Sequence, residues 1–225
     1  MKKLHLGCAY NILNGWVNID HPEAPRKKIA ARKPHLVHKM DITRREGEHS
    51  WEHFEDDSVS HIYTEHTIEH IHYNEAKVML QQCYRVLING VRIRIATPDL
   101  KFLIDLYNTN KTSVQKQYIE YSCNNSSFDF VPYPIDTFVI NNFVRDWGHI
   151  FIYDVRTLSE LLIDCGFTDI RKYSIGKSHT KEFKNIDNKR DKEFYNLETF
   201  VVEAKVPDKS TIYINKDSIV YEGKL

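Results

Sequence analysis

Residues 59–98 narrow the possible folds more than any other part of the chain. The short apolar runs "VSHIYT" (59–64) and "VRIRIATP" (91–98) flank "NEAKVMLQQCYRVL" (74–87), in which Ala76, Met79, Leu80, Cys83 and Leu87 recur at helical spacing. Asn89-Gly90 supplies a stop. A strand–helix–strand unit of this length closes as a crossover between parallel strands, and a parallel sheet needs both faces covered. Three further runs precede it: "KLHLG" (3–7), "WVNID" (16–20) and "HLVHKMD" (35–41). Together they predict an open α/β sheet.

The rest of the chain extends this sheet. In "YDVRTLSELLIDCGFTDIRKYSI", Asp154 is placed to cap a helix whose apolar stripe is Leu158, Leu161, Leu162 and Cys165. Gly166 follows where a helix ends, and a strand is expected near 169–175. A charged, helix-poor run (177–196) leads to a last strand, "ETFVVEAKV" (198–206). Residues 101–147 are aromatic, Asn-rich and without a steady period, and read as an irregular lid inserted after the fifth strand. Residues 1–206 then make one domain. The tail 207–225, "STIYINKDSIVYEGKL" at its end, predicts a β-hairpin around Asn215-Lys216-Asp217, with an edge on which a second copy could pair as a homodimer.

Lysine plus arginine equals aspartate plus glutamate at 31 each, so no global field draws the chain to nucleic acid or an anionic membrane. The four cysteines are scattered without a C-x-x-C pair, as in a reducing compartment. No stretch approaches the roughly 18 apolar residues of a membrane span, and the N-terminus lacks the apolar run of a signal peptide. A soluble, cytoplasmic protein acting on a small molecule is expected.

Open parallel sheets bind ligands beyond the carboxyl ends of their strands. The first strand ends at Gly7-Cys8-Ala9, where glycine admits a close backbone approach. Asp20 ends the second strand and suits ribose hydroxyls. Asp41 ends the third and suits an adenine amino group. No G-x-x-x-x-G-K-[ST] is present, so a neutral or cationic adenosine ligand fits better than a phosphate-rich one.

These blocks resemble the class I S-adenosylmethionine-dependent methyltransferases, in particular the type 11 group. "LHLGCAYNILNGWVNID" resembles the glycine motif and acidic second-strand end. "FEDDSVSHIYTEHTIEHI" resembles the fourth-strand block, "CYRVLINGVRIRIATPDL" the following helix and strand, and "WGHIFIYDVRTLSELLIDCGF" the late histidine-aromatic stretch. The resemblance implies a Rossmann-like, mostly parallel sheet of seven strands with an inserted lid and a C-terminal hairpin. It implies S-adenosylmethionine bound by Gly7, Cys8, Ala9, Asp20, Asp41, Ile42, Thr64 and Glu65. Two departures stand out. Ala9 replaces the second glycine of G-x-G, and the link from Gly7 to Asp20 is too short for an ordinary crossover helix. A parallel pair with a stunted helix is preferred there over an antiparallel hairpin.

"YTEHTIEHIH" (63–72) holds three histidines and two glutamates. His66-Thr67-Ile68-Glu69-His70 matches the H-x-x-E-H string of inverted-motif zinc proteases, but it directly follows a strand, whereas those enzymes carry both histidines on one helix face. Glu69 in a first helical turn and His70 as a packing residue form the structural alternative. In a methyltransferase sheet the stretch lies beside the methyl donor. His66, and next His149 in "WGHIFIYD", is then the candidate base for a hydroxyl acceptor, with Glu69 and His70 as supporting or metal-binding groups. His66, Glu69, His70 and His149 also look like the E-x-x-E-H…H set of some metal-dependent ubiquinone-pathway and 2′-O-methyltransferases, with His66 replacing a glutamate. A divalent metal is the lesser alternative. Asp99 and Trp147 are the candidate acceptor-binding residues, and Tyr133 and Phe143 are further lid aromatics. Arg92 and Arg94 are expected to snorkel from one face of their strand.

The preferred function is O-methylation of a sugar, nucleotide sugar or other small polar metabolite. The rival is a non-catalytic, methyltransferase-like binding module.

Overall fold

The computed structural model describes residues 1–23, 34–47, 49–108, 110–187, 192–208 and 219–220. Eight strands run in chain order: β1 (Lys2–Leu6), β2 (Val17–Asp20), β3 (Val37–Lys39), β4 (Val59–Glu65), β5 (Arg92–Pro98), β6 (Thr168–Tyr173), β7 (Thr199–Lys205) and β8 (Ile219–Val220). They form one sheet in the order β3-β2-β1-β4-β5-β7-β6-β8. The pairs from β3 to β5 are parallel, and β7 lies antiparallel between β5 and β6. The strand order reverses between β1 and β4, so the carboxyl ends of these two strands frame the crevice where ligands bind in such sheets. The hairpin expected around Asn215-Lys216-Asp217 lies outside the described residues. The two residues of β8 pair in parallel with β6. Among the described residues no helix is long and apolar enough to cross a membrane.

The expected helix between β4 and β5 is α1 (Tyr73–Val86). The helix before β6, here called α5, spans Val155–Asp164. Both signals at its ends operate as the sequence predicts. The Asp154 carboxylate accepts from Thr157 N–H at 2.7 Å. Gly166, at φ +96°, donates to the Ile163 carbonyl while Phe167 donates to that of Leu162. This double bond is the Schellman stop, and only glycine enters that conformation without strain. Ala76, Met79, Leu80 and Cys83 of α1 and Leu158, Leu161 and Leu162 of α5 bury against Leu4, Leu6, Ile19, Ile62, Ile93, Ile95, Val202 and Ala204 of the sheet.

Side chains alternate along a strand, so the intervening residues face the other way. There the register aligns Asn18, His5, Tyr63, Arg94 and Glu203 in one row across five strands. All five are buried. His5 Nδ1 lies 3.2 Å from Asn18 Oδ1, and the His5 and Tyr63 rings stack at 5.2 Å. Arg94 does not snorkel. It is fully buried and donates to Glu203 Oε1 and Asp187 Oδ2, each at 2.6 Å. Arg92 likewise turns to Asp169 instead of solvent. Segment 174–187 covers this face, held by Asp187 and by the Lys177 carbonyl, which accepts from Arg94 at 3.0 Å.

The row also explains the short first crossover. β1 and β2 are parallel, but residues 8–15 contain no helix, stunted or otherwise. The Asn18 amide replaces it: Oδ1 accepts from Leu13 N–H at 2.9 Å, and Nδ2 donates to the Leu13 and Trp16 carbonyls at 3.1 Å. One side chain thus pairs backbone groups at the end of the link that no helix is there to satisfy.

Two further expectations are corrected. The segment expected to be an irregular lid is helical, as α2 (Leu100–Asn108), α3 (Ser113–Asn124) and α4 (Asp136–Arg145). It has its own small core of Phe102, Leu106, Tyr118, Ile119, Val139 and Phe143. Its aromatics obscure the period because they pack on several faces at once. The run expected to be helix-poor ends in α6 (Lys192–Glu198).

Arg94→Met removes the only cation in contact with the buried Asp187 and Glu203 carboxylates among the described ion pairs. It is expected to lower unfolding free energy by about 3–5 kcal/mol in urea denaturation. Replacing all three residues with apolar ones of similar volume should restore most of that loss.

Candidate active site

At the reversal point, β1 ends in a tight turn. Gly7 and Ala9 both adopt positive φ, +64° and +43°. A Cβ on Gly7 would lie 2.1 Å from Thr67 Oγ1, so glycine is needed both for conformation and for the close approach of the segment after β4. Ala9 takes a glycine-like conformation in spite of its methyl group, a strain of about 1–2 kcal/mol. Its N–H donates to Asp20 Oδ2 at 2.8 Å, a charge-assisted bond that offsets the strain. Cys8 is buried, and burial with the nearby Asp20 charge pushes its thiol up to about 12, so it stays a neutral packing group.

Asp20 accepts from Ala9 and His21 N–H through different oxygens, both at 2.8 Å. A carboxylate offers about four lone-pair sites, which leaves capacity for a ribose. Burial pushes its carboxyl above the usual range, against the pull of those two bonds. β3 ends at Lys39, and Asp41 lies two residues beyond it, in a turn. Asp41 Oδ1 accepts from the Thr43 N–H and hydroxyl at 3.0 and 2.6 Å, and Oδ2 pairs with Arg44 Nε at 2.8 Å. Most of its accepting capacity is therefore spent locally. The Ile42 carbonyl is taken by Trp51 Nε1. Thr64, paired with Leu6 beside the turn, has a buried hydroxyl without a hydrogen-bond partner. Tyr195, from α6, donates to Glu65 Oε1. The turn, Asp20 and the Thr64 hydroxyl fit an adenosine-type ligand, and Asp41 fits a structural role.

The histidine stretch is not a helix carrying two zinc ligands. His66 directly follows β4 at φ +47°, and only Ile68–His70 make a single 3-10 turn. Glu69 is fully buried. Its Oε2 accepts from Thr97 at 3.0 Å, and its carbonyl accepts from Ile150 and Phe151 N–H at 2.7 and 3.1 Å. Its Oε1 lies 3.1 Å from His66 Nδ1 and 4.0 Å from His70 Nε2. His149 joins from the loop after α4, with its ring 4.9 Å from that of His70. All four histidine and glutamate residues expected at the site are thus together. Burial lowers the His66 pKa, but the Glu69 carboxylate, helped by Glu198 and Glu65, outweighs it and holds His66 above an ordinary histidine. His66 Nε2 faces Thr199 Oγ1 at 3.4 Å.

Asp99 caps α2 by accepting from Lys101 N–H at 2.9 Å and is half-buried. Trp147 is 42% exposed and packs edge-on to Phe143. Phe143 belongs to the cap core, and Tyr133 is exposed. Thr97, Tyr195 and Thr199 complete the surroundings of His66 and Glu69. Sequence reading missed them because single hydroxyl residues, two on strands and one on a helix, carry no signature.

No protein-family model matches the sequence, and no curated protein matches it. Solved structures do match in fold. One is a SAM-dependent methyltransferase from Archaeoglobus fulgidus, with TM-score 0.53 and 16% identity over 91% of this chain and 85% of that one. Another, from Mesorhizobium loti, has TM-score 0.53 and 14% identity over 91% and 90%. A third, described as a possible histamine N-methyltransferase from Thermotoga maritima, has TM-score 0.50 and 12% identity over 91% and 82%. At these identities the likeness is one of fold.

The His66 imidazole is expected to titrate above the usual histidine range in metal-free protein, as followed by NMR. Glu69→Gln removes the charge that holds the proton, so the midpoint should move to lower pH. Gly7→Ala should destabilise the protein by about 2–5 kcal/mol, combining strain and overpacking. Ala9→Gly should stay within about 1 kcal/mol of the parent, because relieved strain and added chain entropy oppose each other.

Proposed function

From the class I S-adenosylmethionine-dependent methyltransferase fold, we propose that this chain binds S-adenosylmethionine and methylates a hydroxyl group on a small polar molecule, a sugar or nucleotide sugar. The observation that carries this reading is His66. Its Nδ1 faces a fully buried carboxylate, and its ring is partly open at the carboxyl end of β4, next to the Gly7–Ala9 turn.

Gly7, Ala9, Asp20 and Thr64 would hold the cofactor, which supplies an electrophilic methyl group when bound. The chain's own residues then have two tasks. One is deprotonation of the acceptor. Thr97 orients Glu69, Glu69 keeps the His66 proton on Nδ1, and Nε2, beside the Thr199 hydroxyl at 3.4 Å, would exchange that contact for the acceptor and receive its proton. The Glu69 charge stabilises the imidazolium that results. A base above the ordinary histidine value is also better matched to a hydroxyl than an unassisted one. The second task is positioning under the helical cap, with Asp99 and Trp147 at the cleft for a polar ring and water excluded from the reacting atoms. The balanced overall charge of the chain accords with a small acceptor rather than nucleic acid.

Calorimetric titration with S-adenosylmethionine and S-adenosylhomocysteine tests the cofactor. Micromolar binding, abolished in Asp20→Ala, is expected; no binding at millimolar cofactor overturns the reading and leaves a binding module. With a panel of sugars and nucleotide sugars as acceptors, His66→Ala should lower kcat by about 100- to 10,000-fold while cofactor affinity holds. Unchanged turnover in that variant would remove His66 from the chemistry.

A further inference from the structure

The end of β6 and the segment that follows it enclose an open cavity of about 530 Å³. Lys172, Lys177, Lys184 and His179 line it, with the neutral Ser174 and Asn185, and no aspartate or glutamate does. Among the described residues the lysines in ion pairs are Lys77, Lys101, Lys111 and Lys205, so the three cavity lysines are in none. The two acids of segment 174–187 are engaged elsewhere. Glu182 lies 3.4 Å from His61, and Asp187 is buried under the loop, where it accepts from Arg94 and from Gly176 N–H. The same buried groups hold the cavity wall in place. Arg94 donates to the Lys177 carbonyl at 3.0 Å, and Asn185 N–H donates to the Gly176 carbonyl at 3.0 Å. The lysines are exposed, but their backbone is fixed from below by a guanidinium with no solvent contact. β5 and β6 both run antiparallel to β7, so they end at the same edge of the sheet, the edge where ligands bind. Burial raises the Asp99 carboxyl there, and the Lys172 charge opposes that shift.

We propose that this cavity binds the phosphate of a phosphorylated small molecule, with Lys172, Lys177 and Lys184 as its cations. A concave wall of one charge sign concentrates its field and raises the local concentration of counter-ions. Three ammonium groups suit a dianion better than a single carboxylate, and lysine binds phosphate as a point charge without needing a planar partner. Ser174 and Asn185 add neutral donors. A nucleic acid would need an extended basic stripe with free aromatic faces for its bases. The cavity's one aromatic, Tyr173, instead packs edge-on to His179, with its hydroxyl 3.2 Å from Nδ1. Within the methyl-transfer reading the phosphate is the acceptor's own, which narrows the acceptor to a sugar phosphate or nucleotide sugar. That narrowing rests on the reading, whereas phosphate binding stands without it.

Inorganic phosphate, glucose 1-phosphate and glucose are titrated into the protein by calorimetry at low ionic strength. One equivalent of each phosphate compound with submillimolar affinity is expected, and no heat from glucose. Lys177→Gln/Lys184→Gln should weaken both by at least about tenfold, because two charge-assisted contacts are lost. Circular dichroism and S-adenosylmethionine affinity of the variant should match the parent. Backbone amide NMR shifts on adding glucose 1-phosphate should centre on residues 172–185. Tighter binding of glucose 1-phosphate than of inorganic phosphate assigns the site to the acceptor, and equal binding assigns it to free phosphate. If the double variant binds both as tightly as the parent, or the shifts centre elsewhere, the proposal is wrong. A single-stranded RNA oligonucleotide that binds more tightly than either compound through the same lysines overturns it in favour of a nucleic-acid surface. Phosphate binding without S-adenosylmethionine binding removes the methyl-transfer reading and leaves this one standing.

Discussion

A carboxylate with no solvent contact sits where β4 gives way to its following turn, and much of the site is arranged around it. Burying Glu69 unpaired would be prohibitive, so the fold surrounds it with the Thr97 hydroxyl and the His66 imidazole. Thr97 from β5 orients one oxygen, His66 and His70 face the other, and the Glu69 carbonyl takes two N–H groups from the chain returning after the cap. One residue therefore links β4, β5 and the cap. The same charge that must be compensated for folding is the one that biases His66 toward proton acceptance. Stability and chemistry draw on a single electrostatic constraint.

A second constraint acts on the opposite side of the sheet. The row of Asn18, His5, Tyr63, Arg94 and Glu203 places polar groups in a buried layer, where an apolar helix would otherwise lie. Hydrogen bonding of Asn18 with His5, stacking of His5 on Tyr63 and the Arg94–Glu203 ion pair tie the layer together. Asn18 also ties down residues 8–15, so the β1–β2 link passes without a helix and the Gly7–Ala9 turn keeps its place at the crevice. Ala9 at positive φ fits this picture. The turn is imposed by Asp20 and by the packing of Thr67 against Gly7, and alanine follows the geometry that its neighbours dictate.

Legibility in the sequence followed the range of the interactions. Period-2 and period-3.6 patterns are local, so β4, α1, β5, α5 and β7 were readable within a residue or two. Asp154 and Gly166 were readable as helix ends because capping is also local. The cap helices were not, since Phe102, Tyr118 and Phe143 pack on one another across three helices and blur each helix's own period. Arg94 read as a snorkelling side chain because Asp187 and Glu203, more than ninety residues downstream, give no hint in sequence that they meet it. Asp41 read as a free acceptor because its Thr43 and Arg44 bonds depend on the turn that encloses it.

The sequence by itself determined a mostly parallel α/β sheet, the glycine turn at the end of β1, and a histidine-rich stretch directly after a strand. These depend on backbone periodicity and on the conformational freedom of glycine, which act over a few residues. Only the tertiary structure decided which lone pairs are spent and which remain open. Asp41 is engaged by its own turn, while Asp20 keeps capacity. His70 and His149 direct Nδ1 to the Gly148 and Phe143 carbonyls, and a ring nitrogen of each lies within 4.8 Å of a Glu69 oxygen. Those choices rest on contacts between residues far apart in the chain, where distance and direction, not residue type, set the chemistry.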